Sequence, residues 1–242
     1  MQNNTPAVKL SEIDFNWGAE RNDFRIQVKK FQLEKGESAI LVGPSGVGKS
    51  TLLSLICGIA RPRDGTVEIA GKNLGKMTNS ERDSFRADNL GIIFQQFNLL
   101  PYLSAIDNVL LPLKFSCARK AACDKVNATP RAEAERLLKN LDISPETLGN
   151  QKAVTLSIGQ QQRVAAARAF IGSPEIIIAD EPTSSLDEEN QEEFLKQLFS
   201  EKDATSTSLL MVSHNFRIAK RFDRLVKLEN ICATSRGKED IK

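Results

Sequence analysis

The stretch SAILVGPSGVGKST, residues 38–51, decides the fold. Ser38 to Val42 is an unbroken apolar run ending at Gly43, the pattern of a strand buried on both faces. Gly43 to Thr51 matches GxxxxGK[ST] and runs into STLLSLICGIA, residues 50–60, which reads as a helix. A glycine-rich turn between a buried strand and a helix is the setting in which this pattern cradles phosphate. Gly43, Gly46 and Gly48, with Pro44, Ser45 and Val47 between them, let the backbone curl so that successive N–H groups face inward. The helix start near Lys49 adds the positive end of its dipole. Lys49 reaches the β- and γ-phosphates as a point charge, Ser50 offers an oxygen to Mg²⁺, and Thr51 completes the cradle.

Outward from this loop, strands alternate with helices. Residues 8–42 carry short alternating runs such as FRIQVKKFQL, which predict antiparallel strands. RDGTVEIAGK reads as a turn at Asp64-Gly65 followed by a strand. Thr78 and Glu81 form a T-x-x-E capping box before a short helix at 80–88. GIIFQQF is a further strand, and from about 98 to 155 the pattern turns helical, with Thr129-Pro130 placed as N-cap and N1. EIIIAD (175–180), SLLMVSH and RLVKLE supply more buried strands. Phe194, Leu195, Leu198 and Phe199 share one helical stripe that reads as core. The expected class is α/β: a parallel sheet flanked by helices, plus an antiparallel β subdomain and a small helical one. No repeat or low-complexity linker divides residues 1–242, so one domain is expected.

Composition narrows the function classes. With 33 Lys+Arg against 31 Asp+Glu the net charge is +2, which provides no field for nucleic acid. The basic stretch Lys114–Lys139 is broken by Asp124, Glu133 and Glu135 and reads as a solvated helical face. Four cysteines without a CxxC pair, and a single histidine, argue against a zinc site or a disulfide framework and fit a reducing cytosol. The N-terminus MQNNTPAVK has no secretory pattern, and no apolar run reaches the roughly 18 residues of a membrane span. Membrane work would need another chain to do the spanning.

IIIADEP ends a buried strand on Asp180 and Glu181. Ligands in α/β sheets sit beyond the carboxyl ends of strands, and neighbouring residues point to opposite sides. Asp180 would hold the Mg²⁺ shell, while Glu181 would act as general base toward a water or orient it. Pro182 stops the strand.

VTLSIGQQQRVAAARAF, residues 154–170, narrows the reading. LSIGQQQR resembles the signature LSGGQ of ATP-binding-cassette (ABC) proteins and falls just ahead of DEPTSSLD. Gln95 matches the Q-loop, Ser185-Leu186-Asp187 the D-loop, and His214 the switch histidine that senses the γ-phosphate. Trp17 resembles the aromatic that stacks on adenine, with Phe15 as the alternative. From about residue 8 to 230 the chain resembles the ATP-binding subunit of an ABC transporter, with a helical subdomain at about 96–155 between Q-loop and signature.

The resemblance implies an ATPase with Mg²⁺. Lys49, Gln95, Glu181 and His214 would be catalytic, and Ser50, Gln95 and Asp180 would ligate the metal. ATP would lie between the cradle of one subunit, with Trp17, and Ser157, Gly159, Gln160 and Asp187 of a second copy packed head to tail. An integral membrane permease would hold the pair at the cytoplasmic face of the inner membrane. FNLLPYLSAIDNVLLPL after the Q-loop is similar to the lipoprotein-release, macrolide-export and cell-division branch. Amino-acid importers carry a similar run, and a soluble ABC ATPase or a nucleotide-binding scaffold are further alternatives. Leu99, Leu100 and Tyr102 either seat a coupling helix of the permease or pack the small helical lobe.

Ile158 stands where the signature has glycine. Ser157-Ile158-Gly159-Gln160 is also an S-x-x-Q capping box, which puts Ser157 at N-cap and Ile158 at N1. N1 takes helical angles that a β-branched residue adopts at little cost, so Ile158 is expected to leave the site working.

Overall fold

The computed structural model describes residues 5–18, 24–125 and 129–235. Residues 1–4 of the N-terminal reading, 19–23 of the antiparallel stretch, 126–128 of the basic stretch and 236–242 lie outside the described residues. In chain order the elements are β1 (Val8–Asn16), β2 (Arg25–Leu33), β3 (Ser38–Val42), α1 (Lys49–Ile56), β4 (Asp64–Ile69), β5 (Lys72–Asn73), α2 (Asn79–Asn89), β6 (Leu90–Ile93) and α3 (Ala105–Leu110). They continue with α4 (Cys117–Lys125), α5 (Pro130–Asn140), α6 (Ile158–Phe170), β7 (Ile176–Asp180), α7 (Glu188–Thr205), β8 (Ser208–Ser213), β9 (Arg224–Lys227), α8 (Leu228–Ile231) and β10 (Cys232–Ser235). Contacts group the chain into two units. One runs to Asp83 and resumes at Leu210; the other is Ser84–Leu209.

The first unit carries an antiparallel sheet in the order β10-β2-β1-β4-β5. β1 buries Val8 and Leu10, then changes phase to bury Ile13 and Phe15. The cause is Glu12, at φ 50°, where the register against β4 shifts between Ser11 and Asp14. The same bulge corrects the turn expected at Asp64-Gly65. Both residues lie inside β4, and a Cβ on Gly65 would sit 2.3 Å from the Glu12 carbonyl oxygen. Gly65 therefore serves the close approach of two backbones, and Ala70 (φ 48°) with Gly71 (φ 76°) makes the turn into β5. β3 runs parallel to β9, and Asp223 clamps its start by accepting from Ser38 N (2.8 Å) and Ser38 Oγ (2.7 Å). All five residues of β3 are buried, as the apolar run requires.

In the second unit β6 pairs in parallel with β7, again a crossover connection covered by helices. Parallel strands, flanking helices and the separate antiparallel sheet make this an α/β cassette. The capping box at Thr78 and Glu81 starts α2, and Thr129 Oγ1 accepts from Ala132 N at 3.2 Å with Pro130 in the first turn of α5. Phe194, Leu195 and Leu198 of α7 are fully buried, whereas Phe199 at the edge of the stripe is only partly covered.

The basic stretch departs from its expected solvated face. Lys114, Lys120 and Arg131 are exposed, but Arg119 is buried. Its guanidinium donates to the carbonyls of Ile171 (2.7 Å), Ala169 (2.7 Å) and Leu90 (3.3 Å). The end of α6 leaves carbonyls without helical donors, and Arg119 satisfies them from another element. Burial pushes its pKa down to about 10. No described helix is long and apolar enough to cross a membrane.

Candidate functional site

The loop after β3 has the geometry the sequence demands of a phosphate cradle. Gly46 (φ 77°) and Gly48 (φ 100°) take left-handed angles, and a Cβ on Gly48 would meet the Phe24 ring at 2.8 Å. α1 begins at Lys49 after Gly48, a residue with no side chain to cap the helix, and the N–H groups of a first turn favour an anion. Lys49 is buried along its stem, and its Nζ donates to Gly43 O (2.8 Å) and Pro44 O (3.1 Å). The ammonium thus arches back over the loop, and incoming phosphate oxygens can replace the two carbonyls as acceptors. Ser50 and Thr51 follow in the first turn of α1.

Trp17 lies beside this loop. Its Nε1 donates to Thr51 Oγ1 at 3.1 Å, and its ring meets Phe15 edge to face with centroids 5.1 Å apart. Trp17 is 56% exposed and Phe15 only 6%, so Trp17 has a face to offer a base and Phe15 serves as its buried support. His214 follows the end of β8 on an exposed bend.

In the second unit β7 delivers Asp180 at its last position and Glu181 directly after it. Glu181 has φ 46°, a left-handed angle that costs a non-glycine residue free energy and turns its side chain off the strand's course. The 181–187 loop is held by Ser184 N donating to Glu181 O (3.2 Å), and by Gln191 Nε2 donating to Thr183 Oγ1 (2.7 Å). Asp187 caps α7: its Oδ1 accepts from Asn190 N (2.9 Å) and its Oδ2 from Asn190 Nδ2 (2.8 Å). These bonds hold its carboxyl below the usual range and give the D-loop aspartate a structural task. Gln95 is exposed just beyond β6.

The signature turn is a complete capping box. Ser157 Oγ accepts from Gln160 N (3.3 Å), and Gln160 Oε1 accepts from Ser157 N (2.9 Å). Ile158 is the first residue of α6, is not among the residues with positive φ, and projects into solvent at 58% exposure. Gly159 has no internal reason to be glycine. A Cβ there would find its nearest neighbour, Leu186 Cδ2, 4.0 Å away. The missing side chain leaves the half-buried backbone of Gly159 without a Cβ over it at a helix N-terminus, where N–H groups favour an anion. Ser157, Ile158, Gly159, Gln160, Ser185 and Asp187 line one cleft of about 450 Å³.

Arg168 and Asn108 are among the buried polar residues of this unit that sequence reasoning passed over. Arg168 of α6 donates from Nη1 to Asn98 O (2.6 Å) and from Nη2 to Phe97 O (2.5 Å). Asn108 of α3 pairs with both backbone groups of Leu100, accepting from Leu100 N (2.8 Å) and donating to Leu100 O (3.0 Å). Arg and Asn on helices give no local sign of burial; only the backbone groups they meet reveal it, some seventy residues away for Arg168 and eight for Asn108.

A parallel-stranded core, a lysine-bearing cradle after a strand and an acid pair after another define a P-loop ATPase of the cassette type. The chain belongs to the ABC transporter family, which it matches over residues 26–184. It is 38% identical over 198 residues to the Escherichia coli K12 ABC transporter ATP-binding protein YbbA, covering 82% of this chain and 83% of that one. It is 36% identical over 225 residues to the lipoprotein-releasing system ATP-binding protein LolD of Novosphingobium aromaticivorans, covering 92% and 96%. Its fold superimposes with a TM-score of 0.78, at 33% identity over 96% of this chain and 99% of the other, on MJ0796 of Methanocaldococcus jannaschii. That cassette was solved as a dimer in a post-hydrolysis state bound to ADP and Pi.

Proposed function

We propose that this chain binds and hydrolyses ATP to drive a separate membrane permease of the lipoprotein-release or macrolide-export type. The observation that carries the hydrolytic half is the strained Glu181 directly after Asp180 at the carboxyl end of β7. Such strain persists where a side chain must be aimed. Trp17 stacks on adenine, and the cradle from Gly43 to Thr51 holds the phosphates. Lys49 exchanges the Gly43 and Pro44 carbonyls for β- and γ-phosphate oxygens. Ser50, Gln95 and Asp180 are oxygen donors, the set that suits Mg²⁺. The metal, when bound, neutralises charge on the β- and γ-phosphates. Glu181 accepts a hydrogen bond from the attacking water and takes its proton, while His214 donates to the γ-phosphate. The water oxygen bonds to phosphorus, and the bond to the ADP oxygen breaks.

A second copy completes the site from across a head-to-tail interface. Its Ser157, Gly159 and Gln160, at the start of α6, meet the γ-phosphate, with Asp187 beside them. The permease reading is supported by kinship with LolD and with the macrolide export ATP-binding/permease protein MacB of Rhodopirellula baltica, 35% identical over 82% of this chain and 28% of that one. Tyr102, 67% exposed on the turn that Asn108 secures, supports a docking role for that turn. The integral permease holds the cassette at the cytoplasmic face of the inner membrane.

Two experiments test this. Glu181→Gln should trap a dimer with ATP, seen by size-exclusion chromatography, and lower kcat at least about a hundredfold. A variant that hydrolyses normally removes Glu181 from the mechanism. Purification from the native membrane fraction should recover a partner with few spans and a large extracytoplasmic domain. An importer permease in its place overturns the subtype, and recovery only with soluble material overturns transport.

A further inference from the structure

Immediately after Gln95 the chain makes an unusual turn. Phe97 (φ 56°) and Asn98 (φ 50°) are consecutive left-handed residues, neither of them glycine. Phe97 N donates to Phe94 O (3.0 Å), which closes the turn on itself, yet two such residues in a row are costly. The carbonyls of both point at one group, the guanidinium of Arg168, at 2.5 and 2.6 Å. Arg168 is 9% exposed, and both of its hydrogen-bond partners are backbone carbonyls. Burial alone holds its pKa below the usual range. A buried cation balanced by two neutral carbonyls is a poor choice for stability alone. The planar fork, however, holds both carbonyls in one fixed relative geometry, which the rotatable donors of an ammonium do not impose.

Arg168 sits near the end of α6, whose first turn is the signature. About 16.5 Å of rigid helix separates it from Ser157. The turn it grips begins two residues after Gln95.

We propose that Arg168 is a positioning residue: it locks the Phe97–Asn98 turn to α6, so that Gln95 and the signature are placed by a single rigid element. This rests on the functional reading above, in which Gln95 serves the bound metal and α6 serves the partner's nucleotide. Loss of the lock leaves the cradle intact, because Lys49 and Trp17 have their own supports, but it misplaces Gln95.

The test uses Trp17, the single tryptophan of the chain, whose fluorescence reports nucleotide beside the cradle. ATP is titrated in EDTA, Mg²⁺ is then titrated at saturating ATP, and ATPase activity is measured in parallel for the wild type, Arg168→Lys, Gln95→Ala and the double variant. Arg168→Lys should bind metal-free ATP within about twofold of wild type, yet need about tenfold more Mg²⁺ for half-maximal response, with kcat about tenfold lower. In the double variant the Mg²⁺ requirement should match that of Gln95→Ala alone, because Arg168 acts through Gln95. Multiplying effects in the double variant, or an unchanged Mg²⁺ requirement in Arg168→Lys, would overturn the proposal. Should Arg168→Lys not fold, Asn98→Val strains the same turn at an exposed position, and the same pattern is required of it. A wild-type protein that neither responds to ATP nor hydrolyses it would instead overturn the functional reading.

Discussion

The indole N–H of Trp17 donates to the hydroxyl of Thr51 at 3.1 Å, tying the exposed aromatic to the last residue of the phosphate cradle. The bond sets the indole on the cradle's flank and leaves more than half of Trp17 exposed. Stacking of a base on an aromatic ring contributes about 1–3 kcal/mol. Trp17→Ala should therefore weaken ATP binding about tenfold or more, measured by calorimetry, while Trp17→Phe should recover most of the loss. Equal losses in both would mean that the hydrogen bond, and not the stacking face, governs affinity.

Ile158 occupies the first turn of α6 without a positive φ and with its side chain in solvent. Ile158→Gly should change the ATPase rate by less than about tenfold, corresponding to 1.4 kcal/mol of barrier. Ser157→Ala removes one arm of the capping box, at about 1 kcal/mol of stability, and should lower kcat more than the change at Ile158. A larger gain from Ile158→Gly would show that the isoleucine hinders catalysis.

Asp187 accepts from the backbone and side chain of Asn190, which lowers its carboxyl pKa below the ordinary 3.8. The folded state thus prefers the ionised form more than the unfolded chain does. This contribution is complete above pH 3.8 and fades as pH falls through the lower folded value. Asp187→Asn can still cap the helix but cannot titrate, so its unfolding temperature should depend less on pH in acid than that of the wild type. Identical pH profiles would remove Asp187 from the acid limb.

Gln162 of α6 is fully buried, and neither its amide oxygen nor its nitrogen finds a partner among the described residues. An orphaned buried amide costs about 1–3 kcal/mol. Gln162→Leu should raise the unfolding temperature by about 2–4 °C for each kcal/mol recovered. A lower unfolding temperature would show that buried water satisfies the amide.

What was legible in the sequence were local signals. The cradle, the two capping boxes, the Thr129-Pro130 helix start and the stripe of α7 each depend on residues a few positions apart, and each has its expected geometry except at Phe199, which is only partly covered. The hairpin turn was misplaced because Asp64-Gly65 has the composition of a turn while its glycine answers the Glu12 bulge on another strand. Arg119 was assigned to solvent because a charged residue on a polar helix normally belongs there. Its burial follows from carbonyls supplied some fifty residues along the chain.

By itself, the sequence determined the family and which side chains are available for the proposed chemistry of cradling phosphate, donating oxygen to a metal and taking a proton. Those capacities reside in side-chain types and short spacings, which the chain carries in any conformation. Only the tertiary structure decided which polar groups are buried and what they hold: Arg168 on the turn after Gln95, Arg119 on the end of α6, and Asn108 on Leu100. Their partners are backbone carbonyls and amides, groups that every residue has, so no sequence pattern distinguishes them until the fold brings one set within reach.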